Sequence, residues 1–283
     1  MYLLFSIICS TLIFVIFKLL RQYNISTLQV IAINYFVACT IGISAFNGEL
    51  TLNNTLKSDW FLGAVFLGFL FISIFFVMAK TAQKNGVSVA SVASKMSVVI
   101  PIIFGIYVYN ESTGVQKIIG IILALSAVYL TSVKSSSEIH FKKNLLLPII
   151  LFLGSGTIDT SIKYIETTSV PNDGIPIFSA SIFGVAAILG LLILLLKNEY
   201  KITLKALIGG VLLGIVNYGS IYFLLKALDH ELFESSTLFT VNHVAIVMLS
   251  TLVGLIAFKE QLSKKNWIGI GLAIIAIILV TLA

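Results

Sequence analysis

Long apolar runs separated by short polar connectors set the pattern of this chain. A run of about 20 apolar residues crosses the hydrocarbon core of a bilayer as a helix. Ten such runs follow one another: 2–20, 27–46, 60–79, 87–109 and 116–133, then, after the polar stretch KSSSEIHFKKN, 145–165, 175–196, 206–226, 235–258 and 267–283. Isolated strands would leave backbone groups unsatisfied in lipid, so the runs predict helices. The expected fold class is all-α integral membrane, with ten transmembrane helices and no room for a soluble domain. The first run, MYLLFSIICSTLIFVIFKLL, has no basic residue before it and no small-residue cleavage site. It reads as a retained span rather than a signal peptide.

One position breaks the pattern. Lys95, in SVASKMSVVIP, lies midway along the fourth run. A basic residue at the centre of a membrane helix costs about 2.5–3.5 kcal/mol on insertion scales. Something in the fold must offset it.

The two groups of five runs resemble each other. FKLLR after the first run matches IKYIE after the sixth, with Lys18 opposite Lys163, and MAKTA matches LLKAL, with Lys80 opposite Lys226. GIYVYNESTGVQKIIGI from Gly105 aligns without a gap on GLIAFKEQLSKKNWIGI from Gly254, placing Glu111 against Glu260 and Gly120 against Gly269. The expected organisation is a first five-helix repeat at 1–134, a polar linker at 135–144 and a second repeat at 145–283. Five is odd, so the second copy enters the membrane from the opposite side. Such an inverted repeat is a common transporter design with its binding site near the midplane.

Composition sharpens this. Of 283 residues, 58% are hydrophobic and 11% charged, against about 25% charged in a soluble domain; too few charges remain to cover a water-facing surface. The net charge of +6 comes from residues scattered between apolar runs, which excludes a nucleic-acid partner and reads as a topology signal. Thirteen Lys and Arg residues fall on one side of the predicted topology and four on the other. The positive-inside rule then puts the basic connectors in the cytoplasm and both termini outside. Cys9 and Cys39 sit inside apolar runs without metal-ligand spacing, so no metal is expected. No Walker motif or nucleophile elbow occurs, and the spans hold only isolated Ser, His and Asp. No ATP-driven pump, catalytic residues or cofactor is expected.

With these motifs, the chain resembles the drug/metabolite transporter superfamily, in its ten-helix EamA-type branch. The resemblance covers nearly the whole chain and rests on the five-plus-five layout, on PIIFGIYVYNE (101–111) closing the fourth span and on GLIAFKE closing the ninth. It implies a transporter of small metabolites or drug-like molecules, with a cavity built by the first four helices of each half. It also implies peripheral fifth and tenth helices at a homodimer contact. Two departures stand out. The branch is described with cytoplasmic termini, whereas the charges here argue the reverse. Small relatives carry a coupling acid in the first helix, whereas here the acid is Asp159, in the corresponding helix of the second half.

Lys95 and Asp159 are the two charges well inside predicted spans. Intramembrane charges face the bundle interior or water, pair with each other and mark transport pathways. Lys95 binds an anionic substrate group, Asp159 exchanges a proton, or the two form a static pair that fixes packing; Asp159 solvated at the interface is a further reading. Asp159 lies in LGSGTIDTSIK, where Gly154, Ser155 and Gly156 suit close helix approach. Ser88, Ser91 and Lys95 share one helical face. Pro101 removes a backbone donor and kinks the helix beside the lysine. His243 and Asn242 fall beside the repeat counterpart of Lys95. Asn34, Tyr35, Asn217 and Tyr218 complete the polar set, either lining a cavity or making interhelical hydrogen bonds. Glu111 and Glu260 at span ends read as structural, and Trp60 and Trp267 as interface anchors.

The expected function is secondary active transport of a small organic metabolite across the cell (inner) membrane by alternating access, with proton-coupled efflux as its extension. Its partners are then the substrate, membrane lipids and protons. The alternatives are a flippase for lipid-linked groups and a membrane-embedded non-transport protein.

Overall fold

The computed structural model describes residues 1–45, 55–108, 114–132, 141–171, 174–199, 201–228 and 235–281. Glu111 lies outside these, as do the side chains of Lys163 and Lys226. The described residues form helices and no strand: α1 (Tyr2–Gln22), α2 (Thr27–Ser44), α3 (Phe61–Lys84), α4 (Val87–Met96), α5 (Val99–Val108), α6 (Val115–Ser132), α7 (Phe141–Ser169), α8 (Ile175–Leu196), α9 (Leu204–Leu228), α10 (Ser235–Phe258) and α11 (Lys264–Thr281). Since α4 and α5 divide one apolar run, the helices make ten. Seven spans among the described residues are long and apolar enough to cross a membrane, with Ile118–Thr131 and Asn242–Phe258 as shorter apolar helices. The chain is a multi-pass membrane protein.

Apolar content marks the lipid-buried part of a helix, and the helices outrun it. Helix α3 continues to Lys84, and α7 runs from Phe141 to Ser169. Beyond the apolar core, Lys80, Gln83 and Lys84 are good helix formers. The turn stops only at Gly86, whose φ of +116° an L side chain rarely adopts. Among the described residues, the fourth run is the one divided between two helices. Pro101 has no N–H to offer the Ser97 carbonyl four residues earlier; Ile100 N–H donates to it instead at 2.9 Å. The Ser97 hydroxyl turns back to the Ser94 carbonyl at 2.6 Å. The regular α-helix is interrupted by a turn at Ser97 and Val98, with Ser97 itself still in the right-handed helical region.

Two compact units emerge, 1–19 with 77–157 and 219–283, and 20–76 with 158–218. Each draws on chain from both sides of the 135–144 connector. In the first, α4 is the most enclosed element: eight of its residues, from Val87 to Met96, are buried. Its apolar side (Val92, Met96) joins a core with Ala124 and Val128 of α6, Val247 of α10 and Ile270 and Ile277 of α11. In lipid such packing gains from van der Waals contact rather than from the hydrophobic effect, because acyl chains are as apolar as these side chains. Gly156 of α7 lies against Ile100 of α5.

In the second unit, α2 is seamed to α8 and α9 by small residues. A Cβ on Gly190 would lie 2.9 Å from Ala32, and one on Gly214 2.7 Å from Val37. Tyr35, fully buried, donates its hydroxyl to the Phe71 carbonyl at 2.9 Å. Trp60 differs from expectation: it is buried, edge-on to Phe178 with ring centroids 5.6 Å apart. An indole of that size packs as core where a neighbouring ring completes its surroundings. Trp267 is half exposed.

Candidate functional site: a polar track along α4 and α10

Helix α4 begins at Gly86, which has no side chain to cap the free amides of the first turn. A carboxylate far away in sequence does so. Glu260, just beyond α10, accepts hydrogen bonds from Val87 N–H at 2.7 Å, Ser88 N–H at 3.4 Å and Ser88 Oγ at 3.1 Å. An anion there is favoured by the helix dipole. Lys18 of α1 completes the arrangement, its Nζ 3.5 Å from Glu260 Oε1. The space is made by two glycines: a Cβ on Gly86 or Gly254 would sit 2.8 or 2.6 Å from the Glu260 carboxylate oxygens. Beside this clasp lies a cavity of about 240 Å³, lined by Lys18, Lys84, Asn85, Glu260, Gln261 and Asn266 among others.

One turn further along α4, Ser91 Oγ donates to the Ser88 carbonyl at 2.9 Å and receives the Ser250 hydroxyl of α10 at 2.6 Å. Another turn on comes Lys95, half-buried, whose ammonium lies within electrostatic reach of the His243 imidazole on α10. Asn242, next to His243, is buried, and its Oδ1 has no hydrogen-bond partner among the described residues. Three successive polar levels thus run from the clasp to the lysine, along one face of α4 and two turns of α10.

The second unit holds the remaining predicted residues. Asn217 Nδ2 donates to Asn34 Oδ1 at 3.2 Å, joining α9 to α2. Tyr35 is committed to Phe71 and flanked by Phe75 and Phe183. Tyr218 is half-buried and Asp159 exposed. Lys95 and Asp159 belong to different units. The structure therefore brings Ser91, Lys95, Asn242 and His243 into one neighbourhood and Asn34 with Asn217 into another. Sequence reasoning missed Lys18, Ser250 and the capping role of Glu260. The gapless repeat match around Gly254 and Glu260 was the available signal.

The EamA-like transporter family model matches residues 1–133. Over 285 aligned residues the chain is 31% identical to an uncharacterized protein of Haemophilus influenzae, covering 97% of this chain and 95% of that one. The chain belongs to the EamA-like transporter family. That family lies in the drug/metabolite transporter superfamily, whose members carry small molecules across membranes. The fold of this EamA-like chain is similar to that of a protein solved by crystallography. The TM-score is 0.57 at 15% identity, with 98% of this chain and 97% of that chain covered.

Proposed function

We propose that this EamA-like protein is a secondary active transporter that moves a small organic metabolite by alternating access, with Lys95 as the anchor for an anionic substrate group. The observation that carries this reading is the placement of Lys95. A membrane-embedded ammonium sits on the most enclosed helix, one residue before that helix ends, with His243 within electrostatic reach and the buried acceptor of Asn242 on the same neighbouring helix. A buried acceptor left unpaired costs about 1–3 kcal/mol, so a substrate donor would gain by satisfying it. Broken helices near the midplane are the characteristic place for substrate and ion sites in such carriers.

An inverted five-plus-five repeat is supported by the packing. The most extensive helix contacts join α2 to α8, α4 to α10 and α6 to α11, which are the second, fourth and fifth spans with the seventh, ninth and tenth. Corresponding elements of two oppositely inserted copies meet in this way about a pseudo-two-fold axis. Asp159, the acid inside a span of the second half, is the proposed proton-exchanging group, and the charge bias supports termini on the outside.

The test is flux in proteoliposomes against a metabolite panel, with and without a pH gradient. Lys95→Ala is expected to weaken apparent affinity for an anionic substrate about 10- to 100-fold, the equivalent of a charge-assisted hydrogen bond of about 1.5–3 kcal/mol. Asp159→Asn is expected to abolish the dependence on the pH gradient. Folded variants that transport like the parent at every pH would overturn both assignments.

A further inference from the structure

The Glu260 clasp and the Lys95 site share one helix. Ser88 and Lys95 are seven residues apart, two turns on a common face, so about 10 Å of rigid helix joins them. Helix α4 has a pivot at each end. At its start Gly86 holds φ +116°; at its end the ladder tightens to a three-residue bond, Ile100 N–H to the Ser97 carbonyl, before Pro101. A ten-residue rod between a positive-φ glycine and a tightened turn moves as a body, because hinge motion concentrates at a few element-terminal residues.

Between those pivots, polar contacts from other elements hold the rod in register. Glu260 grips the Val87 and Ser88 amides and the Ser88 hydroxyl, Lys18 reaches Glu260 from α1, and Ser250 meets Ser91. The adjoining cavity leaves open space beside the clasp, with Val89 of α4 on its wall.

We infer that Glu260 is a positioning residue for Lys95: its carboxylate, with Lys18, latches the N-terminus of α4, and release of that latch swings α4 about its two pivots and shifts the lysine between access states. This rests on the alternating-access reading above. It adds that the gate is a single short helix rather than a whole repeat, and that the group holding it is an intramolecular anion.

The test uses the full chain in detergent with Cys9 and Cys39 replaced by serine. Val89→Cys, at a buried position lining the clasp cavity, reports opening by its rate of modification with an uncharged, polar methanethiosulfonate, which does not respond to the loss of a neighbouring charge. Ala187→Cys, buried in the other unit, reports general loosening. Glu260→Gln is expected to raise the rate at position 89 at least about tenfold and leave position 187 unchanged. Lys18→Gln, which keeps the carboxylate on the α4 amides, is expected to give a smaller rise at position 89 alone. An unchanged rate at position 89, or a parallel rise at both positions, overturns the inference. If Glu260→Gln does not fold, Lys18→Gln decides by the same criterion. No substrate is needed, so failure here leaves the carrier reading standing, while failure of the flux assay leaves the latch standing.

Discussion

Gly214 is where an added methyl group has the most calculable consequence. On α9, a Cβ at this position would lie 2.7 Å from Val37 Cβ and 2.9 Å from the Asn34 carbonyl oxygen of α2. The carbonyl is backbone, so no rotamer change relieves the contact. Ordinary van der Waals contact begins near 3.4 Å, so Gly214→Ala pushes α9 and α2 apart by about 0.7 Å. One turn along, Asn217 and Asn34 are joined at 3.2 Å, already long for an N–H···O bond. A separation of that size breaks it. Overpacking costs about 1–3 kcal/mol, and an interhelical hydrogen bond in a membrane protein about 0.6 kcal/mol. Better helix propensity returns at most about 1 kcal/mol. The net expectation is a loss of about 1–3 kcal/mol. Gly271→Ala on α11 is the control, because nothing lies within 4 Å of its Cβ position. Unfolding of both variants by SDS in mixed micelles measures the difference. If the two unfold within about 0.5 kcal/mol of each other, the seam of small residues does not hold α2 in place and the reasoning fails.

Two further outcomes follow. Asn266 accepts from Ser263 N–H and Oγ at 2.9 and 2.8 Å and donates to the Leu130 and Thr131 carbonyls at 3.1 and 2.9 Å; Asn266→Ala should cost about 2 kcal/mol in the same assay, and Asn266→Asp, which turns a carboxylate oxygen toward those two carbonyls, at least as much. A reporter active only outside the cytoplasm, fused after α11, should be active; signal from a cytoplasm-specific reporter would reverse the proposed orientation.

The helix count was legible because lipid leaves little choice: an apolar run of sufficient length becomes a helix whatever its neighbours do. Two spans, Ile175–Leu196 and Ser235–Phe258, match their apolar runs end to end. Helices α1, α3, α7 and α9 run on past theirs, where hydropathy is silent and propensity and glycine stops decide. The polar face of Ser88, Ser91 and Lys95 was readable from spacing alone, since helical period fixes which residues share a side. What those residues touch was not. Ser250 meets Ser91 and Glu260 caps α4 across 159 and 173 residues of chain respectively, and single-chain patterns carry no information about such partners. Trp60 shows the same limit: position in sequence placed it at a boundary, while the ring of Phe178 determined that it is buried.

The dependence of α4 on α10 has a consequence for biogenesis. The ribosome finishes α4 well over a hundred residues before it makes Ser250 and Glu260. Until then the nascent segment lacks the partners of its polar face and has only α5 and α6 of its own half to pack against. Synthesis order therefore makes the first half a client of the second, and truncation before α10 should leave a chain that is degraded rather than a smaller working protein.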